Sequence, residues 1–341
     1  MILERRIPLS RMIVFGLYLA SIGAIWSAIV YTMYAYVGLK FLRIPFLPIA
    51  TIGTAVAFYV GFKNNAAYDR FWEGRKIWGG IVNSSRSWAT FVMSYIGPGQ
   101  DGEFAKKRHE FIYRHIAWIN ALRLQLRKNS RFFDKPARAT RRRLENHKEH
   151  MRNDWDKEIS PFLEEQEFND VSAMANPATH MLTTQGTELA TLVKDKKLDL
   201  FHQLAMMEVV EELYTLQGKC ERIKNTPFPR QYAEYSRWFT RVFIFMVPFG
   251  LLDVFVGKVN QPLTITQLCL AALPMIFSAG LITWVFVSME AIGDMSEDPF
   301  ERSMNDVPMN ALCRTIEIDL RQMLGETDLP EKEQPIDFLM Y

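Results

Sequence analysis

From Met12 to Leu39 the chain carries no charged residue, and from Thr264 to Met289 it again carries none. Each run exceeds the roughly 20 residues with which an α-helix crosses the hydrocarbon core of a bilayer. Backbone donors and acceptors in that core meet no water, so the chain must satisfy them internally, as a helix does. Two further runs are shorter or interrupted: Ile44 to Phe62 lacks charge but contains Pro45 and Pro48, and Val242 to Gly257 is apolar except for Asp253. Four spans in two hairpins are expected. The mean hydropathy of -0.06, which taken alone suits a soluble protein, conceals this segregation.

Arg5, Arg6 and Arg11 before the first run invite a signal-peptide reading, but the run far outlasts the roughly 7 to 15 apolar residues of a signal sequence. A retained helix is expected. Basic residues also follow the second run (Lys63, Arg70, Arg75, Lys76) and surround the start of the third (Arg230, Arg237, Arg241), whereas Lys258 alone marks the third loop. Because Lys and Arg stay on the cytoplasmic side, both termini and the middle segment are assigned to the cytoplasm of a multi-pass inner-membrane or plasma-membrane protein. Lys40 and Arg43 oppose this assignment and are outnumbered. Cys220, Cys269 and Cys313 show no paired or metal-ligand spacing, so no disulfide framework is implied. A net charge of +2 argues for neither a nucleic-acid partner nor an acidic substrate.

The expected architecture is all-α, with a first transmembrane hairpin over 1–62 that includes a pore helix at 44–62. A helical cytosolic domain follows over 63–230, then a second hairpin over 231–290 and a cytosolic helix and tail over 291–341. Between Lys63 and Arg230 charged and apolar residues alternate at helical spacing. The charged stretch Arg127 to His150 is expected to be a solvated helix face without function, since acidic Glu145 and Glu149 lie close by and aromatics are not interleaved.

The second span is the informative one. Gly53, Ala57 and Gly61 recur every four residues and form a small-residue stripe suited to close helix approach. The stripe displaced by one residue is Thr54, Phe58 and Phe62, which can face a shared axis or simply pack against other helices. Four spans do not enclose a wide water path alone, so a passage is more naturally built between identical subunits in a ring. Asp253, an acid at membrane depth, is a functional candidate by default. Its late position in the third span also suits the outer interface.

Three blocks carry a family resemblance. GFKNNAAYDRFWE, Gly61 to Glu73, leads on to Trp78 and Gly79; GKCERI, Gly218 to Ile223, precedes Thr226, Pro227, Phe228 and Pro229; and Glu297, Asp298, Pro299 and Phe300 precede Asn305, Asp306, Pro308, Asn310, Ala311 and Cys313. In order and spacing they resemble the pore-helix end, the turn before the third span and the segment after the fourth in bacterial bestrophins. That resemblance implies a homopentamer in membrane lipid with one central pathway for small ions such as chloride. It puts a hydrophobic neck at Thr54, Phe58 and Phe62 and a cytosolic aperture at Met181. Animal bestrophins carry a run of acidic residues that forms a calcium clasp; here the equivalent stretch is Glu301, Arg302, Ser303, Met304, Asn305 and Asp306, too poor in carboxylates for calcium, so no calcium activation is expected. Where bacterial relatives tend to be aliphatic in the neck, this chain has Phe58, which resembles animal anion channels, and Thr54 follows neither pattern; ring edges are electropositive and can offset part of an anion's dehydration. Anion selectivity is the leaning, with cation selectivity the alternative.

No cofactor and no catalytic set is expected. His147 and His150 read as a solvated pair, His115, His180 and His202 have no recognisable partner, and no phosphate loop or nucleophile elbow occurs. A secondary transporter is the rival class, with Pro248 and Gly250, or Pro274 and Gly280, as candidate helix breaks. A membrane scaffold is another.

Overall fold

In the computed structural model the described residues are 9–97, 102–128, 145–256, 265–301, 304–336 and 338–341. Among the described residues ten α-helices follow in order: α1 Leu9–Ala35, α2 Phe46–Tyr95, α3 Glu103–Arg127, α4 Trp155–Ile159, α5 Glu165–Ser172, α6 Pro177–Lys194, α7 Leu200–Asn225, α8 Arg230–Phe255, α9 Ile265–Asp294 and α10 Met309–Met323. Among the described residues the one β feature is an isolated bridge between Ile336 and Leu339. Four helices among the described residues are long and apolar enough to span a membrane: parts of α1 and α9, and α2 and α8. The loop carrying Lys258, the side chains of Arg5, Arg6, Arg11 and Cys269, the triplet Arg141 to Arg143, and Arg302 with Ser303 lie outside the described residues.

The chain forms two compact units, one of residues 4–69 and 228–297 and one mainly of 70–227 and 298–341. The first holds α1, the start of α2, α8 and α9. Trp26 of α1 donates to the Phe245 carbonyl at 3.0 Å and stacks on the Phe245 ring at 5.0 Å, which seats α1 against α8. Val30, Ile49, Val56, Val60, Phe243 and Val247 are buried together. Both α8 and α9 run unbroken through Pro248 and Pro274, so the breaks on which a transporter reading depends are not formed.

The second unit is built around α3, whose residues Arg114 to Leu124 are buried throughout. Trp78, Trp88, Trp118, Leu182, Leu213 and Ile316 pack in the same core. Alternation of charge along α3 suggests a half-solvated helix, yet Arg114, Arg123 and Arg127 are all buried. Buried charge is tolerated only when paired and hydrogen-bonded. Arg123 donates to Glu158 Oε2 and Asn310 Oδ1, both at 2.7 Å, and Arg127 to Asn310 Oδ1 at 2.6 Å and the Met151 carbonyl at 2.8 Å. Arg127 is thus no part of a solvated face. His147 is buried as well, its Nδ1 2.7 Å from the Tyr341 hydroxyl, whereas His150 is exposed. His115 does have a partner, the Ser85 hydroxyl.

Candidate functional site: one open face of the second helix

The expected pore helix at 44–62 is the start of a helix of 50 residues, Phe46–Tyr95. Its beginning is pinned by Asp253. One carboxylate oxygen accepts from Arg43 Nε at 2.8 Å and the other from the Phe46 amide at 3.3 Å, satisfying one of the orphan N–H groups at a helix start. Asp253 is therefore a cap and an ion-pair partner, and Arg43 is held by it.

Along the first turns of α2 the side chains divide into two faces. Ile49, Gly53, Val56, Val60, Lys63 and Ala67 are buried at spacings of three and four, the period of a helix side packed on its neighbours. A Cβ on Gly53 would stand 2.6 Å from a Phe243 ring carbon, so that position requires glycine for close approach. The small-residue stripe holds only in part: Ala57 is half-buried, and Gly61 is exposed with nothing within 4 Å of a Cβ placed there.

The opposite face is open. Thr51, Thr54, Ala55, Phe58, Gly61, Phe62, Asn65 and Ala66 are exposed in one continuous stripe. Phe58 and Phe62 are 65% and 68% exposed, although each ring has a strong tendency to leave water. Thr54 Oγ1 donates back to the Ala50 carbonyl at 3.1 Å, which meets its own hydrogen-bonding need within the helix. Among the described residues, the three expected at the neck thus share a face that no other helix covers.

Met181 is a correction. It is 0% exposed and packs in the core of the second unit, and a side chain lining an aperture must be open to the passage. Pro177 starts α6, and the helical phase turns Met181 inward and leaves His180 and Thr183 exposed.

The three sequence blocks converge at Arg70. Its guanidinium donates to the carbonyls of Ile223 and Thr226, the latter at 2.7 Å, and lies 3.4 Å from Asp298 Oδ1. Glu73 pairs with Arg222, and Lys224 with Glu301. A family model described as Bacterial/Fungal Bestrophin protein matches residues 13–322. The chain belongs to the bacterial and fungal bestrophin family.

Relatives of this bestrophin include the voltage-dependent anion channel-forming protein YneE of Salmonella typhi, 30% identical over 321 residues, covering 93% of this chain and 88% of the relative. The protein of that name from Escherichia coli strain K12 is 28% identical over 303 residues, covering 89% and 83%. A solved bacterial bestrophin homologue from Klebsiella pneumoniae has the same fold, with a TM-score of 0.73 at 24% identity over 91% of this chain and 99% of that one. The first family block therefore contributes Gly61, Phe62, Asn65 and Ala66 to the open face of α2, while its Arg70 and Glu73 hold the other two blocks. What residue reasoning missed is Lys63: it reads as a positive-inside marker, yet it is fully buried among Glu290, Asp294 and Glu297.

Proposed function

We propose that this bestrophin is one protomer of a homopentameric channel in the inner or plasma membrane, with Thr54, Phe58 and Phe62 of five α2 helices forming a hydrophobic neck that passes chloride and other small monovalent anions. The observation that carries the reading is the exposed stripe of α2 with its two uncovered phenylalanines. A stripe that mixes Thr51, Thr54 and Asn65 with aromatic rings is a poor match to lipid tails, whereas a shared axis accommodates both polar and apolar groups. The names of the relatives, anion channel-forming proteins, support the same sign of selectivity. Ring edges turned to the axis offset part of an anion's dehydration, and ring faces favour cations. The basic residues flanking the spans, Lys63, Arg70, Arg75 and Lys76 after the second and Arg230, Arg237 and Arg241 around the third, against Lys258 alone in the third loop, support an orientation with the termini and the 63–230 segment in the cytoplasm.

Planar-bilayer recording of purified protein under a salt gradient tests this. Wild type is expected to reverse at a potential of anionic sign, and Phe58→Ala to move that potential towards zero. A reversal of cationic sign in the wild type refutes the selectivity, and a detergent mass other than five protomers refutes the ring.

A further inference from the structure

We infer that Lys63 is a positioning residue for the neck: its ammonium, held by carboxylates of α9, fixes the turn of α2 that presents Phe62. This rests on the channel reading and adds to it what sets the neck's resting position.

Lys63 stands next to Phe62, about 100° around the helix, so the exposed ring and the buried ammonium leave the same turn on different sides. The ammonium has three donors. It bonds Glu290 Oε1 at 2.8 Å and Asp294 Oδ1, and lies 3.4 Å from Glu297 Oε1. These acids sit at successive turns of α9 and just beyond its end, so one side chain of α2 grips more than a turn of α9. A second clamp is adjacent: Asn64 Nδ2 donates to the Met289 carbonyl at 2.8 Å, and a Cβ on Gly293 would lie 2.1 Å from Asn64 Oδ1. The Asn64 amide thus occupies the space that a side chain at position 293 would need. Arg237, 3.4 Å from Asp294, leaves the carboxylates in excess, so losing the ammonium exposes them to mutual repulsion. The turn carrying Phe62 then loses its hold on α9, and the ring its fixed place.

Single-channel recording separates this from a purely structural role. Lys63→Gln is expected to change open probability by about tenfold or more, the scale of a charge-assisted hydrogen bond lost at a two-state element, with reversal potential unchanged. Lys63→Arg restores wild-type gating. In a Phe62→Ala background Lys63→Gln has no further effect, because nothing remains to be positioned. Should Lys63→Gln fail to assemble, Gly293→Ala wedges the same contact without altering charge and is expected to shift open probability in the same way. Wild-type open probability in an assembled Lys63→Gln or Gly293→Ala channel, or full additivity with Phe62→Ala, overturns the inference while leaving the channel reading intact. A silent wild type removes the channel reading itself.

Discussion

Lowering the pH from 6.5 to 5 is expected to weaken the unit formed by residues 70–227 and 298–341 through one side chain, His115. Its imidazole is completely buried, with Nε2 2.8 Å from the Ser85 hydroxyl and the rings of Trp88 and Trp118 at 6.3 and 5.1 Å. Burial drives its pKa down from 6.5 to about 3, because a charged imidazolium there would lose its hydration. The unfolded chain takes up this proton near pH 6.5 and the folded chain does not until about pH 3. The contribution is therefore fully present above pH 6.5 and is lost as pH falls between those limits, at about 1.4 kcal/mol per pH unit. From pH 6.5 to 5 the loss comes to about 1.5–2 kcal/mol, or about 4–6 °C in the unfolding midpoint of a unit of this size. Thermal unfolding followed by tryptophan fluorescence, wild type against His115→Gln, reads the effect as a difference in slope, which separates His115 from other titrating groups. Equal slopes, or an imidazole that titrates near 6.5 in the folded protein, would refute the reasoning.

Met181→Ala should cost about 2–5 kcal/mol in thermal stability, as for a core residue left with a cavity, while single-channel conductance stays at the wild-type value. A stable Met181→Ala protein with altered conductance would return Met181 to the passage. Asp253→Ala removes both the Arg43 pair and the acceptor for the Phe46 amide, and a loss of about 1 kcal/mol is expected, the scale of a helix cap; an unchanged midpoint would count against the capping role. Burial pushes the Cys313 thiol up to about 11 and the Cys220 thiol higher still, so neither should react with a thiol reagent at pH 8 until the protein is denatured. Labelling in the folded state, read by mass spectrometry, would contradict their placement.

The family could be read from motifs that turn out to be structural. Arg70, Thr226 and Asp298 are far apart in sequence, yet each is of a type whose chemistry survives in isolation: a guanidinium, a turn before a proline, a carboxylate. The shared face of Thr54, Phe58 and Phe62 was legible for a similar reason, since the period of a helix assigns them to one side before any partner is known. Met181 and Lys63 were misread because the same period says which residues share a face without saying which face is covered. His147 and Arg127 failed likewise: polar side chains predict solvent, and only a partner such as the Tyr341 hydroxyl or Asn310 Oδ1 turns them inward.

By itself the sequence determined that this chain enters a membrane and how its spans are spaced, because a bilayer admits only backbone that closes its own hydrogen bonds and charge-free runs of sufficient length announce such helices. Tertiary structure alone decided which side of each helix is buried. That choice depends on residues hundreds of positions away, such as Phe243 against Gly53 and Glu290 against Lys63, whose pairing leaves no local trace in composition or periodicity.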